Sequence, residues 1–242
     1  LSQYTLKSTV GMSGPLTLPG VSSSIGPVLS DVVTWNRVSY GYTGAGVFAV
    51  TTQRKLIATN GLDVEAINMP SSGVFQNLYD VRFAFSTQHM LINTRSTGST
   101  QSIYIYDGTN NPVVTVNLST TLGGNEGIAD VANLGNRFLL MSEDATGNHT
   151  GKVYYSGIND PLTYTPSGFF TSTEQHSANV GVHVMRGRLL LFSYDGFTVW
   201  TNTRNLNNPF KQQKGSGGDI GLFDPMGKCE MAGVLYFIGR AG

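Results

Sequence analysis

Five short apolar runs recur along the chain at intervals of about 46 residues. Turn-forming Gly, Asn and Asp residues lie on either side of these runs. No apolar stripe with the helical spacing i, i+3, i+4 and i+7 accompanies them. Regular spacing of this kind predicts a chain built from one repeated β unit. The runs lie at 47–50, 90–92, 138–140, 189–191 and 235–237.

Each repeat is predicted to contain four strands, with the apolar run as the second. Gly-containing turns precede three of the runs, in the sequences LGNR, MRGR and MAGV. The first strands are predicted at 37–42, 79–85, 127–132, 179–184 and 219–224. The third strands are predicted at 56–58, 103–106, 153–155 and 197–200, and the fourth at 64–67, 113–116, 162–164 and 210–212.

Local turn chemistry supports this strand pattern. Asp107-Gly108 and Asp195-Gly196 are dipeptides that suit primed hairpin turns. Asp160-Pro161 and Asn208-Pro209 are expected to end one strand and set the turn into the outermost one. Proline is tolerated there because an edge strand loses least from a missing backbone N–H.

Four strands in about 46 residues is the size of one β-propeller blade. The apolar runs are continuous because neighbouring blades would cover both faces of an inner strand. We therefore predict an all-β propeller of four-stranded blades over residues 37–242, preceded by an extended N-terminal arm over 1–36. About four and a half blades are present, which predicts an incomplete chain. A β-sandwich is the alternative, although sandwiches do not repeat one internal unit four times.

The chemistry-bearing residues do not form a catalytic or metal-binding pattern. Cys229 is the only cysteine, which excludes an intrachain disulfide and a cysteine-based zinc cluster. The four histidines lack metal-ligand spacing, and Glu126 and Asp130 are explained by a strand start or loop. The segment GSGGDIG at 215–221 lacks the Lys-Ser/Thr of a phosphate loop and is predicted to be a flexible interblade loop. We therefore predict no enzyme activity, no cofactor and no metal.

Charge is sparse and unevenly distributed. Charged residues make up 12% of the chain, and the formal net charge is zero. Five of the 15 basic residues fall between 186 and 214, with Asp195 as the acid among them. This basic strip is either a solvated face or a surface that contacts DNA, a channel or a neighbouring subunit through phosphates or acidic groups. Its members are Arg186, Arg188, Arg204, Lys211 and Lys214.

The stretch 185–239 resembles the tail hub proteins of short-tailed bacteriophages, also called nozzle or packaged-DNA-stabilisation proteins. Their pattern has an apolar strand, an aromatic strand, a Pro-Phe pair, a glycine-rich segment before Ile/Val-Gly, and a strand ending in an aromatic and Gly. The matching positions are Trp200, Pro209, Phe210, Ile220, Gly221, Phe237 and Gly239. The upstream sequences LTLPGV, RVSYGYTGAGVFAV and QSIYIYDG are consistent with the arm and early blades of that family.

The resemblance implies a non-enzymatic virion protein of the phage tail that assembles in the host cytoplasm. Members of the family form a homo-hexameric ring below the portal and adaptor proteins. The ring lines the DNA exit channel, helps retain the packaged double-stranded DNA without sequence specificity, and anchors tail fibre, spike or needle proteins. No membrane insertion is expected, because no apolar run reaches the roughly 18 residues that a spanning helix needs.

A carbohydrate-binding or glycosidase-type propeller is the alternative function. It depends on three aromatic residues that look exposed, Trp35, Tyr164 and Trp200, and on the many asparagines. Trp200 and Phe210 are nevertheless expected in the blade core. A glycosidase of this class would need two carboxylates about 5–10 Å apart, and the sequence offers no such pair.

Overall fold

A computed structural model of the chain is all-β and contains successive four-stranded antiparallel sheets, which confirms the predicted propeller. The structure describes residues 33–35, 46–50, 55–59, 64–68, 81–94, 102–108, 114–122, 124, 126–144, 146–172 and 177–240.

Each of the four complete sheets is one blade, and its strands pair in sequence order. Blade 1 contains β1 (Val33–Trp35), β2 (Gly46–Val50), β3 (Lys55–Thr59) and β4 (Val64–Asn68). Blade 2 contains β5 (Val81–Phe85), β6 (Met90–Thr94), β7 (Ser102–Tyr106) and β8 (Val114–Asn117). Blade 3 contains β9 (Gly127–Leu134), β10 (Arg137–Glu143), β11 (His149–Tyr155) and β12 (Phe169–Thr171). Blade 4 contains β13 (Asn179–Met185), β14 (Arg188–Ser193), β15 (Phe197–Asn202) and β16 (Phe210–Gln212).

A short helix, α1 (Leu118–Leu122), connects blades 2 and 3. Among the described residues, no helix is long and apolar enough to span a membrane. After blade 4, two strand pairs follow. They consist of β17 (Gly221–Leu222) with β20 (Gly239–Arg240), and β18 (Lys228–Met231) with β19 (Val234–Phe237).

The first strands of successive blades lie next to one another. Strand β9 contacts β5 on one side and β13 on the other. The first strands therefore form the inner layer, and the fourth strands lie at the outer edge.

In blades 3 and 4, the turn from the first strand to the second lies at the same end of the blade as the connection from the third strand to the fourth. We call this the hairpin end, and its connections are the turns 135–136 and 186–187 and the loops 156–168 and 203–209.

The same two-residue turn joins the first and second strands of blades 3 and 4 and joins β18 to β19. Both residues have positive φ in Gly135-Asn136 (62° and 61°), Arg186-Gly187 (51° and 72°) and Ala232-Gly233 (52° and 72°). Two consecutive positive φ values define the primed hairpin turn whose twist matches that of the flanking strands. The glycine-containing turns predicted from the sequence are therefore repeated elements of one unit.

The apolar run of blade 3 packs on both of its faces, as predicted. Phe138 and Leu140 of β10 join a cluster that also contains side chains from blade 2. Leu139 and Met141 of the same strand join a second cluster, which contains Leu189 and other side chains from blade 4. Because side chains alternate along a strand, a strand covered on both faces must be continuously apolar.

One predicted strand is wrong in its place, and another is wrong in its pairing. The prediction at 162–164 falls in the loop before β12, because Tyr164 turns inward and is buried in the core between blades 2 and 3. The prediction at 219–224 contains β17, but this strand does not pair with the run 235–237. That run pairs with β18, whereas β17 pairs with β20. The sequence of β18, KCEM, has no apolar pattern that would identify it.

The N-terminal predictions are only partly covered by the described residues. Residues 1–32 and the predicted strand at 37–42 lie outside them. Strand β1, at Val33–Trp35, pairs with β2 and is the first strand of blade 1. The predicted arm over 1–36 therefore overlaps this strand, and it stays a prediction over residues 1–32.

Candidate functional site

The residues of the predicted basic strip lie at or near the hairpin end of blade 4, with one exception. Arg186 is in the first turn of the blade, and Arg188 begins β14. Arg204 lies in the loop between β15 and β16, and Lys211 is the second residue of β16. Lys214 follows β16 and continues away from this end. All five side chains are exposed.

The four residues at the hairpin end form two groups rather than one line. Arg186 and Arg188 lie on the inner side of the blade, whereas Arg204 and Lys211 lie on its outer side. Strands β14 and β16 are two positions apart in the sheet, which corresponds to about 10 Å. Arg186 also has a structural contact, because its Nη2 donates a hydrogen bond to the Gly233 carbonyl oxygen at 3.2 Å.

A pocket of about 200 Å³ opens at the hairpin end between blades 3 and 4. It combines one residue of the basic strip, Arg204, with a second arginine, Arg137, which the sequence analysis did not select. Its lining contains no carboxylate and no aromatic side chain. The lining residues are Gly135, Asn136, Arg137, Ile158, Asn202, Arg204, Asn205 and Pro209.

Arg137 is the buried cation of this pocket. It is only 7% exposed, and its Nη1 donates a hydrogen bond to the Ser156 carbonyl oxygen at 2.6 Å. Its guanidinium carbon lies 5.5 Å from the centre of the Tyr155 ring, a cation–π distance. Arg137 directly follows a hairpin turn, a position that carries no sequence signal of burial.

A second group of polar residues joins three consecutive units near the inner strands. Asp130 of β9 is 2% exposed. Its Oδ2 accepts a hydrogen bond from the Val182 N–H of β13 at 2.8 Å and one from the Lys228 Nζ of β18. Lys228 also donates to the Pro225 carbonyl oxygen at 2.8 Å. This buried ion pair therefore links blade 3, blade 4 and the hairpin of β18 and β19.

Gly181 leaves the space that this junction needs. A Cβ at Gly181 would lie 2.5 Å from Leu222 Cδ2 and 3.4 Å from the Asp130 carboxylate. A side chain would therefore displace either the apolar contact or the ion pair. Sequence reasoning had no signal for the junction, because Asp130 and Lys228 are far apart in the chain.

The two carboxylates that lie close in sequence are each hydrogen-bonded to a lysine. Glu126 accepts a hydrogen bond from Lys152 Nζ, and this bond raises the pKa of Lys152. Asp130 accepts one from Lys228. Both groups are therefore parts of ion pairs between structural elements. Within the described part of the chain, no group of three His, Cys, Asp or Glu residues could hold a metal ion.

Two of the three aromatics that supported the carbohydrate alternative are core residues. Trp200 and Tyr164 are each 6% exposed, and Trp200 Nε1 donates a hydrogen bond to Thr198 Oγ1 at 2.9 Å. Burial raises the pKa of the Tyr164 hydroxyl. Phe210 is 3% exposed, so the expectation that Trp200 and Phe210 lie in the core is confirmed. Neither Trp200 nor Tyr164 offers a face on which a sugar ring could stack.

Two glycines of the segment 215–221, Gly218 and Gly221, lie close to the backbone of blade 4. Gly218 exchanges backbone hydrogen bonds with Phe197, at 2.9 and 3.1 Å, and thereby extends pairing at the start of β15. A Cβ at Gly221 would lie 2.0 Å from the Tyr194 carbonyl oxygen. The glycines therefore allow two backbones to approach closely. The prediction of a flexible loop did not foresee these contacts.

The arrangement at the hairpin end is suited to binding negative charge. Arginine side chains on this surface present planar N–H donors that match phosphate and carboxylate oxygens. Contacts of this type hold a polyanion without reading its sequence.

Comparisons with known proteins give one family and several distant structures. The family model described as "Bacteriophage P22 Gp10, beta-propeller" matches residues 32–242. No curated protein matches the chain. Among solved structures, the chain is similar to YCF48 bound to D1 peptide, with 11% identity, 81% of this chain and 58% of that chain covered, and a TM-score of 0.48.

Two further solved structures have similar scores. The Dos1 propeller shares 13% identity, with 88% of this chain and 56% of that chain covered and a TM-score of 0.46. PorZ, a surface component of the type-IX secretion system of Porphyromonas gingivalis, shares 12% identity, with coverages of 81% and 26% and a TM-score of 0.46. The chain spans less than two thirds of the length of each of these three proteins.

Proposed function

The chain belongs to the phage-stabilisation family of the bacteriophage P22 Gp10 β-propeller, and from this membership we propose that it is a structural tail protein that helps retain packaged DNA. The observation that carries the proposal is the family match, which covers residues 32–242 and so includes every described strand.

In its finer form, the proposal is a tail hub or nozzle. Six copies form a ring below the portal and adaptor proteins, and the ring lines the channel through which DNA leaves the particle. The same ring anchors further tail parts such as fibres, spikes or a needle. The protein acts in the virion, is assembled in the host cytoplasm, and works by binding and positioning rather than by catalysis.

The hairpin end of blades 3 and 4 is the surface we assign to contact with DNA or a neighbouring subunit. Arg188, Arg204 and Lys211 are exposed there, and Arg137 lies in the adjacent pocket. A surface of this kind would bind phosphates through release of counterions, so its affinity would fall steeply with salt concentration. Arg186 adds a positive charge to this surface from the adjoining turn. Lys214 is the strip residue least suited to this contact, because it lies away from the hairpin end.

Cryo-electron microscopy of the native particle tests the proposal. The expected result is a ring of copies of this chain around the tail axis, with DNA or an open channel at its centre. The hairpin ends of blades 3 and 4 should face either the channel or a neighbouring copy. Absence of the chain from purified particles, or a single disc with a closed centre, would refute the proposal.

A further inference from the structure

The pocket between blades 3 and 4 contains a buried positive charge without an opposite charge. The Arg137 guanidinium has five N–H donors, of which Nη1 donates to the Ser156 carbonyl. Its other contact is with the Tyr155 ring, and no described carboxylate pairs with it. Buried charges in proteins are normally paired, because removing an ion from water is costly. No Arg137 nitrogen is a buried atom without a partner, and Arg137 lines the pocket, so its remaining donors are open to an anion that enters the pocket from outside the blade.

Arg204 brings a second guanidinium to the same pocket. Its backbone has φ of 60°, a left-handed conformation that is uncommon for a residue other than glycine. The Asn202 side chain holds this turn, because Oδ1 accepts a hydrogen bond from the Arg204 N–H at 2.8 Å. The Arg204 side chain is exposed and has no ion-pair partner among the described residues. The loop thus places an unpaired cation at the pocket rim.

The rest of the lining adds neutral polar groups rather than opposing charge. Asn136, Asn202 and Asn205 supply amides that can donate hydrogen bonds. Asp160 lies in the same loop as the lining residue Ile158 but does not itself line the pocket, and its pKa is lowered chiefly by a hydrogen bond from Thr163. The charge in the pocket is therefore that of the two arginines.

We propose that the pocket lined by Arg137, Arg204 and the three asparagines binds a phosphate group, supplied in the assembled tail by the DNA backbone. Two guanidinium forks and several amides can saturate the oxygens of a tetrahedral phosphate. The lining lacks an aromatic platform on which a base or a sugar would stack. The site would therefore contact the backbone without sequence preference. The identity of the phosphate donor rests on the proposed function, whereas phosphate binding itself does not.

The test uses the full chain with inorganic phosphate and with a short DNA duplex. Binding is measured by titration calorimetry and by NMR shifts of the Arg137 and Arg204 side chains. Arg204→Asn is the main variant, because Asn removes the charge and tolerates the left-handed backbone. It should weaken phosphate binding by roughly tenfold or more and lower the salt slope of duplex binding by about 1. Arg137→Lys keeps the charge but removes the planar fork, and should also weaken phosphate binding.

Lys214→Gln is the matched control, because Lys214 is an exposed cation of the same blade that lies away from the hairpin end and does not line the pocket. It should leave phosphate affinity within about twofold. The proposal is overturned if the intact chain does not bind phosphate, or if Arg204→Asn and Lys214→Gln lower its affinity equally. Preferential binding of a carboxylate such as succinate over phosphate would overturn it in favour of an acidic group from a neighbouring subunit.

The assignment of DNA as the source of the phosphate is tested separately. If phosphate binds but the duplex neither competes with it nor shifts the Arg204 signal, the DNA part is refuted. Failure of the tail-ring proposal is separate, because it is seen as absence of the chain from particles, whatever the pocket binds.

Discussion

Removing one partner of the buried ion pair between Asp130 and Lys228 should be strongly destabilising. The Lys228→Met variant removes the charged ammonium group but keeps an unbranched apolar side chain of similar size. Asp130 would then keep two backbone N–H donors, from Val131 and Val182, at 3.0 and 2.8 Å. Its carboxylate would still be buried, with a side-chain exposure of 3%.

The expected cost follows from that burial. Removing one partner of a buried ion pair typically costs about 3–5 kcal/mol, because the remaining charge is left without compensation. For a chain of this size, each kcal/mol lowers Tm by about 2–4 °C. Lys228→Met should therefore lower Tm by roughly 6–20 °C. Asp130→Asn should also destabilise, and the double variant should cost less than the sum of the two single changes.

A second polar contact of β18, made with β13 rather than β9, provides the control. His183 Nε2 and Glu230 Oε2 are 3.0 Å apart, and their side chains are 19% and 36% exposed. Because solvent screens this pair, Glu230→Gln should cost less than about 1 kcal/mol. Urea unfolding, followed by far-UV circular dichroism and by the fluorescence of buried Trp200, measures both effects. The reasoning is refuted if Lys228→Met costs no more than Glu230→Gln.

Three further results are expected. Gly221→Ala should destabilise by about 1–3 kcal/mol, because the new Cβ would meet the Tyr194 carbonyl, whereas Gly124→Ala, with no atom within 4 Å, should be close to neutral in the same urea assay. The pKa of Asp144 is lowered to about 2 mainly by the Thr146 hydroxyl. The contribution of the Asp144 carboxylate to folding stability is therefore full above pH 3.8 and is lost as the pH falls through about 2. Thr146→Ala should raise the Asp144 midpoint in a carboxyl NMR titration. Arg188→Glu with Lys211→Glu should increase nuclease-accessible DNA in particles without changing the fold, since both side chains are exposed; unchanged retention would indicate a solvated face.

The sequence was sufficient for the fold because its signals are local. A strand covered on both faces is continuously apolar, as in the run that includes Leu139 and Leu140. Each of the three hairpin turns has a glycine at one of its two positive-φ positions, which is a local sequence signal. The family match confirms the recognition of a phage-stabilisation protein and does not favour the carbohydrate alternative.

The errors arose where a tertiary contact overrides the local pattern. Residues 162–164 contain strand-forming side chains, but burying Tyr164 between two blades stabilises a loop instead. Strand β18 carries Lys228 and Glu230 because its partners are charged or polar groups on other blades. Such residues have no apolar periodicity to detect. The sequence also grouped the basic strip by position, whereas the sheet separates its members by two strands.

The same interblade contacts connect the stability of the chain with the surface we assign to DNA. Arg137 begins β10, one residue after the turn that follows β9, and β9 carries Asp130 near its middle. Arg204 lies on a loop of blade 4, whose inner strand β13 donates to Asp130 through Val182. Losing the buried ion pair should therefore weaken the packing of blade 3 on blade 4 and separate the two arginines. Phosphate affinity should fall in Lys228→Met even though Lys228 does not line the pocket. Unchanged affinity in a folded Lys228→Met chain would show that the pocket is held by the turns alone.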